Sequence, residues 1–169
     1  MVEQPRLDMR SLSPEAYRHL LQLEGLISKQ FDPKLYHLIK LRASQINGCA
    51  YCIAMDTDGA LRDGESPERL TLLDAWQESP VYSDKERAVL AWVEELTLIA
   101  DSGASREAYD ALKPHFNDEQ IGWLILAVMQ INSWNRIAIS TRSQYERPAS
   151  AKTTEKAARD EDRTEAPVE

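Results

Sequence analysis

The sequence predicts an all-α fold. Apolar residues recur at spacings of three and four through most of the chain, the period of an amphipathic helix. Ser-Pro and Asp-Pro pairs, and capping residues followed three positions later by Glu or Gln, punctuate it as helix starts. No segment alternates apolar with polar residues, and the Val and Ile residues fall inside helical patterns, so no strand is expected.

The first helix is expected from Pro14 to about Lys29. Ser13 is its N-cap, Pro14 takes the first helical position, and Tyr17, Leu20, Leu21, Leu23, Leu26 and Ile27 supply the apolar side. Asp32-Pro33 repeats the signal and opens a second helix, with Leu35, Leu38, Ile39, Arg42 and Ile46 along one side. Asn47-Gly48 ends it, because glycine takes the left-handed conformation of a helix C-terminus without a Cβ penalty. A third helix follows from about Cys49 to Gly64, with Gly59 inside it costing roughly 1 kcal/mol against Ala. Ser66-Pro67 starts a short fourth helix through Trp76.

Ser83 and Glu86 have capping-box spacing and open a fifth helix to about Ala100, carrying Ala88, Leu90, Ala91, Val93, Leu96 and Ile99. Ser105 to Lys113 is a short sixth helix, stopped by Pro114. Asn117 and Gln120 cap a seventh helix that runs to about Tyr145 and contains the most hydrophobic segment, IGWLILAVMQINSW. It is apolar almost all round between Ile121 and Ile131, so burial on several sides is expected, in the core or between subunits. From Arg147 the composition changes to charged and small residues that cannot offset their ordering entropy. Residues 1–146 are therefore read as one all-α domain and 147–169 as a disordered charged tail.

Composition narrows the function. The 169 residues are 43% hydrophobic and 28% charged, the balance of a globular domain. Twenty basic against 28 acidic residues give a net charge of −8, which argues against a nucleic-acid binder working by phosphate neutralisation. No apolar run approaches the ~20 residues of a membrane helix, and the N-terminus lacks a secretory layout, so a cytoplasmic, reducing setting is expected.

Two cysteines remain, Cys49 and Cys52, too few to staple a fold of this size. Placed in the first turn of a helix they share a face, with Asp56 one turn further on. Unpaired backbone N–H groups there favour a thiolate. Buried small hydrophobes, a redox pair, or a zinc site completed by His37 and Asp56 are the readings this spacing leaves open.

The stretch LIKLRASQINGCAYCIAM, followed by ALRDGES, closely resembles the core motif of the alkylhydroperoxidase AhpD-like family, within the carboxymuconolactone decarboxylase superfamily. KERAVLAWVEELTLIA and ILAVMQINSWNRIAIS resemble the family's second half, so the likeness spans about Leu35 to Ser140. The resemblance implies an all-α homo-oligomer, a trimer or hexamer, that reduces hydrogen peroxide or organic hydroperoxides. It implies that Cys52 becomes a sulfenic acid and that Cys49 resolves it to a disulfide. A dithiol reductant, possible sources being a lipoyl protein or a thioredoxin-like donor, would then reset the pair. No metal or other cofactor is expected.

The family commonly carries a Glu twelve residues before the first cysteine and a His four residues after the second, which form a proton relay. Here those positions hold His37 and Asp56, so acid and imidazole stand exchanged. In the swapped arrangement His37 would take a proton from a cysteine and Asp56 would orient it. Tyr51 stands between the cysteines where some peroxidase members carry another His.

Arg42 is read as a salt-bridge residue or a modulator of a thiol. Ser44, Gln45 and Asn47 are read as hydrogen-bonding the helix junction, with Asn132 and Asn135 finding partners near Gly48. Trp134 and Arg136 are read as packing or contact residues, His19 and His115 as surface histidines, and Glu94 and Glu95 as a solvated face. The function expected is therefore a thiol-dependent peroxidase using Cys52, Cys49, His37 and Asp56. The alternatives are a redox-sensing oligomer without turnover, or a decarboxylase-type lyase, against which the cysteine pair argues.

Overall fold

The computed structural model describes residues 4–146. The tail expected from Arg147 lies outside the described residues. Within them the chain is all-α, in the order α1 (Met9–Leu12), α2 (Pro14–Ile27), α3 (Pro33–Asn47), α4 (Ala50–Arg62), α5 (Pro67–Leu72), α6 (Asp84–Thr97), α7 (Ile99–Ser102), α8 (Arg106–Leu112) and α9 (Asp118–Thr141). Short 3-10 turns follow α2 at Ser28–Gln30 and α5 at Leu73–Ala75.

The start signals act as read, except that Ser13 precedes α2 without a side-chain capping hydrogen bond. Asp32 accepts hydrogen bonds from the Lys34 and Leu35 amides. Ser66 caps α5, and full capping boxes close on α6 (Ser83 and Glu86) and α9 (Asn117 and Gln120). The ends differ more. The first helix stops at Ile27 and the fourth at Leu72, each tightening into its 3-10 turn. The fifth stops at Thr97, because Leu98 leaves helical geometry (φ −100°, ψ 35°), and the chain re-forms as α7. The seventh stops at Thr141. Arg142 turns left-handed (φ 56°), and the Ser143 amide bonds back to the Ala138 carbonyl while the Arg142 amide bonds to Ile139. This is a Schellman-type closure without the glycine that normally announces one.

Helix α3 is the centre of the molecule. It packs on α4, α6 and α9. Leu35, Ile39 and Ala43 enter the larger core with Ile27, Val89, Val93, Leu124 and Ile131. Leu38 and Leu41 enter a second core with Ala60, Leu73, Trp76 and Leu90. Helix α9, expected to be buried on several sides, covers one flank of α3 and leaves Ile125 and Met129 exposed on its outer face. The buried charges of α3 tolerate its central place because they are paired, Lys40 with Asp56 and Arg42 with Glu94. Arg42 Nε donates to Glu94 Oε1 at 2.8 Å, and a guanidinium N–H reaches Asp74 at 2.5 Å.

Candidate functional site

The site grows from the α3–α4 junction. Gly48 closes α3 with φ 68° and ψ 33°, a left-handed residue that turns the chain sharply into α4. The Cys49 amide then bonds to the Ser44 carbonyl at 2.9 Å, and Cys49 becomes the N-cap of α4, one position outside the helix. Cys52 is its third helical residue, and the Cys52 amide donates to Cys49 Sγ at 3.3 Å. The Cα atoms of the two cysteines are 5.4 Å apart and the sulfurs are joined as a disulfide. Both residues are buried and form a small cluster with Ala138, Tyr51 and Ile139.

Side-chain amides clamp α9 to this junction. Asn47 Nδ2 donates to the side-chain oxygens of Asn132 (3.0 Å) and Asn135 (2.9 Å), and fully buried Asn135 donates to Ser44 Oγ at 2.9 Å. The expected junction role of Ser44 and Asn47 is what the geometry displays. At the junction the Asn132 and Asn135 amides meet side chains rather than the Gly48 backbone, and Asn132 also donates to the Val128 carbonyl of its own helix. Trp134 Nε1 donates to Glu24 Oε2 at 3.0 Å. Arg136 donates to its own helix at Asn132.

His37 and Asp56 are not hydrogen-bonded to each other. His37 Nε2 lies 2.8 Å from Asp63 Oδ2, and Asp56 Oδ1 lies 2.6 Å from Lys40 Nζ. The reason is register. Going backward along α3 and forward along α4, Ser44 meets Cys49, Lys40 meets Asp56 and His37 meets Gly59 and Asp63. His37 therefore sits nearly one turn beyond Asp56, over Gly59. A Cβ on Gly59 would lie 2.6 Å from His37 Cε1, so this glycine inside a helix is the space the imidazole occupies.

Lys40 and Asp63 are the residues that sequence reasoning missed. Lys40 also lies 3.8 Å from Glu24 Oε1 and 4.8 Å from the centre of the Tyr36 ring. Its signal was a lysine inside the apolar stretch of the second helix, three residues after His37. Burial pushes the Asp56 carboxyl above the ordinary aspartate range, and the Lys40 charge and hydrogen bond pull part of the way back. The imidazole is near enough to act in the same direction as Lys40. Asp56 Oδ2 and His37 Nδ1 are buried without a hydrogen-bond partner among the described residues. Burial and Glu24, which accepts the Tyr36 hydroxyl at 2.8 Å, raise the Tyr36 phenol.

The remaining candidates are structural. Arg42 is committed to Glu94 and Asp74, and Glu94 also accepts the Trp76 indole N–H at 2.6 Å. Glu94 and Glu95 are thus anchors rather than a solvated face, Glu95 accepting from Ser105. His19 is exposed and pairs with Gln22. No group of three or more His, Cys, Asp or Glu side chains among the described residues is placed to hold a metal ion. No described helix is long and apolar enough to cross a membrane.

A pocket of ≈ 290 Å³ opens beside the disulfide, walled by Cys49, Tyr51, Ala138, Ile139 and Arg142. The Tyr51 ring meets Tyr145 edge-on at 5.8 Å, and the Tyr145 hydroxyl donates to Asp58 at 2.9 Å.

Known proteins resemble this chain in sequence and fold. The profile of the carboxymuconolactone decarboxylase family matches residues 14–95, which include the cysteine junction. The uncharacterized protein YdfG of Bacillus subtilis (strain 168) is 38% identical over 136 residues, covering 80% of this chain and 92% of that protein. A crystal structure from Agrobacterium tumefaciens superposes with a TM-score of 0.83 at 42% identity, covering 86% of this chain and all of the other. That protein is described as of unknown function and suggested to be the antioxidant defence protein AhpD. The debrominase Bmp8 shares the fold, with a TM-score of 0.69 at 22% identity over 80% of this chain and 74% of its own. With the all-α bundle and the Cys-x-x-Cys junction in place, these likenesses establish that the chain belongs to the carboxymuconolactone decarboxylase family, as an AhpD-like member.

Proposed function

We propose that this protein is a thiol-dependent peroxidase, a dithiol–disulfide oxidoreductase that reduces hydrogen peroxide or organic hydroperoxides. The observation that carries the reading is the Cys49–Cys52 pair, bonded across the first turn of α4 with a backbone amide already directed at Cys49 sulfur. Such a pair cycles between dithiol and disulfide with little backbone movement.

In the reduced state the Cys52 thiolate attacks a peroxide oxygen. The O–O bond breaks, water or an alcohol leaves, and Cys52 becomes a sulfenic acid. Cys49 attacks that sulfur, the hydroxyl departs as water, and the disulfide closes. The proton of the Cys52 thiol passes to Asp56, one turn along the same helix. A carboxylate beside a thiol normally opposes thiolate formation by like charge. Lys40 offsets that charge here, and the raised Asp56 carboxyl is the better proton acceptor for it. A water between the unpartnered Asp56 Oδ2 and His37 Nδ1 would carry the proton on to His37 and to Asp63, which is half exposed while Asp56 is buried. The proposed relay is thus Asp56, a bridging water, His37 and Asp63, in place of a direct His37–Asp56 hydrogen bond. The working form is a homo-oligomer, for which the exposed Ile125 and Met129 on α9 offer a contact stripe.

The test is peroxide consumption by the reduced protein with dithiothreitol as reductant. Cys52→Ser is expected to abolish turnover. With no reductant present, reduced Cys49→Ser is expected to consume one equivalent of peroxide and to hold a dimedone-reactive sulfenic acid on Cys52. Undiminished turnover by Cys52→Ser would overturn the proposal. Oxidation of both thiols with no turnover would make the protein a redox sensor instead.

A further inference from the structure

Tyr51 is the residue of the cysteine motif that the proposed cycle leaves without a task. It stands between Cys49 and Cys52 in sequence, and with Ala138 and Ile139 it packs against the pair. The two cysteines are 1% and 2% exposed, so a reagent must pass or displace a neighbouring side chain to reach them. The neighbours on α3 and α9 are held by the large apolar core and by the Asn47–Asn135–Ser44 clamp. Tyr51 is only half-buried and belongs to no such core.

A second tyrosine fixes the first. After α9 the chain reverses at Arg142 (φ 56°), where the Ser143 amide bonds to the Ala138 carbonyl and Thr141 Oγ1 lies 2.9 Å from Ser143 Oγ. The chain then reaches back to α4. The Tyr145 ring meets Tyr51 edge-on at 5.8 Å, and the Tyr145 hydroxyl donates to Asp58 Oδ2 at 2.9 Å. Tyr51 and Asp58 are seven residues apart, about two turns, and so lie on one side of α4. The ≈ 290 Å³ pocket is lined by Tyr51, Ala138 and Ile139 and also by Arg142, Ser143 and Gln144 of this strap. We propose that residues 142–146 are a latch that sets the size of peroxide the enzyme accepts, with Tyr145 positioning the Tyr51 ring against the cysteine pair.

This latch rests on the peroxidase reading for its substrate class and narrows that class. A pocket of ≈ 290 Å³ is at the small end of ligand sites, so hydrogen peroxide and short alkyl hydroperoxides fit with the latch closed, and aryl or fatty hydroperoxides do not. Tyr145 belongs to none of the three apolar clusters among the described residues. Its hold is a hydroxyl hydrogen bond and a ring edge, so the latch opens locally while the bundle stays folded. The latch also lies beyond Ser140, past the stretch that resembles the family, and is a feature of this chain's own C-terminal segment.

The test alkylates the reduced full-length protein, in which Cys49 and Cys52 are the only cysteines. N-methylmaleimide and N-(1-pyrenyl)maleimide share a reacting group and differ in bulk. Tyr145→Ala removes the ring and the hydroxyl; Tyr145→Phe removes the hydroxyl alone. The pyrenyl rate is expected to rise about tenfold in Tyr145→Ala and about threefold in Tyr145→Phe, with the methyl rate changing by less than about twofold. Equal acceleration of both reagents would mean general loosening, and an unchanged pyrenyl rate would mean that no latch exists; either overturns the proposal. In turnover, Tyr145→Ala is expected to raise kcat/KM for cumene hydroperoxide about tenfold relative to that for hydrogen peroxide. A ratio equal to that of the parent protein would overturn the proposal as well. Alkylation rates that shift as expected, with no peroxide consumed by any variant, would uphold the latch over the cysteines and overturn the peroxidase reading instead.

Discussion

Lys40 is buried between two carboxylates, 2.6 Å from Asp56 and 3.8 Å from Glu24, and its charge governs what Asp56 can do. Removing one partner of a buried pair leaves the other uncompensated, which costs about 3–5 kcal/mol. Lys40→Met is expected to lose roughly that much stability near pH 7. The sign of its pH dependence follows from Asp56, whose folded carboxyl is held above its unfolded range. Between the two values the native state keeps a proton that the unfolded chain has released, so stability falls as pH rises through that window. Without Lys40 the folded value climbs further and the loss deepens. The penalty of Lys40→Met should therefore be small near pH 4 and large at pH 7, read from urea unfolding at both. An equal penalty at both would mean that Asp56 is not the charge Lys40 neutralises.

Between α3 and α4, two glycines do opposite things. Gly48 is needed for its backbone, with φ 68° and nothing within 4 Å of where a Cβ would stand. Gly59 is needed for its emptiness, since its missing Cβ is the seat of the His37 ring. A Gly→Ala change inside a helix ordinarily stabilises by about 0.5–1 kcal/mol, and Gly25 in α2, with open space around it, should follow that rule. Gly59→Ala is expected to do the reverse and cost about 1–3 kcal/mol through overpacking, while shifting the His37 imidazole resonances. Thermal melts of the two variants and imidazole NMR check this; a Gly59→Ala protein as stable as Gly25→Ala would show the ring free to move aside. The same pair of helices marks the limit of reading the sequence. Proline and capping residues at Asp32-Pro33, Ser66-Pro67, Ser83 and Asn117 made helix starts legible, because each satisfies local backbone donors. The end at Arg142 was not legible, since a left-handed arginine carries no such mark. The positions of His37 and Asp56 were legible, but their partners depend on the α3–α4 register, a property of two packed helices rather than of either segment.

At the scale of the whole molecule, the disulfide sits apart from what holds the fold. The two large apolar clusters are built on both sides of α3, whereas Cys49 and Cys52 share only a small cluster with Ala138 and its neighbours. The loop they close spans three residues of separation, so cross-linking it removes little freedom from the unfolded chain, about 2 kcal/mol. The Asn47–Asn135–Ser44 clamp, which keeps α9 on the junction, needs neither sulfur. An enzyme that cycles between dithiol and disulfide requires this independence, because both states must present the same site. Reduction with excess dithiol is therefore expected to lower the melting temperature by only about 4–8 °C, with the far-ultraviolet helical signal unchanged below the transition. Calorimetry of oxidised, reduced and Cys49→Ser protein checks it. Collapse of the reduced form at ambient temperature would make the disulfide a structural staple, and the catalytic reading of the cysteine pair would fall with it.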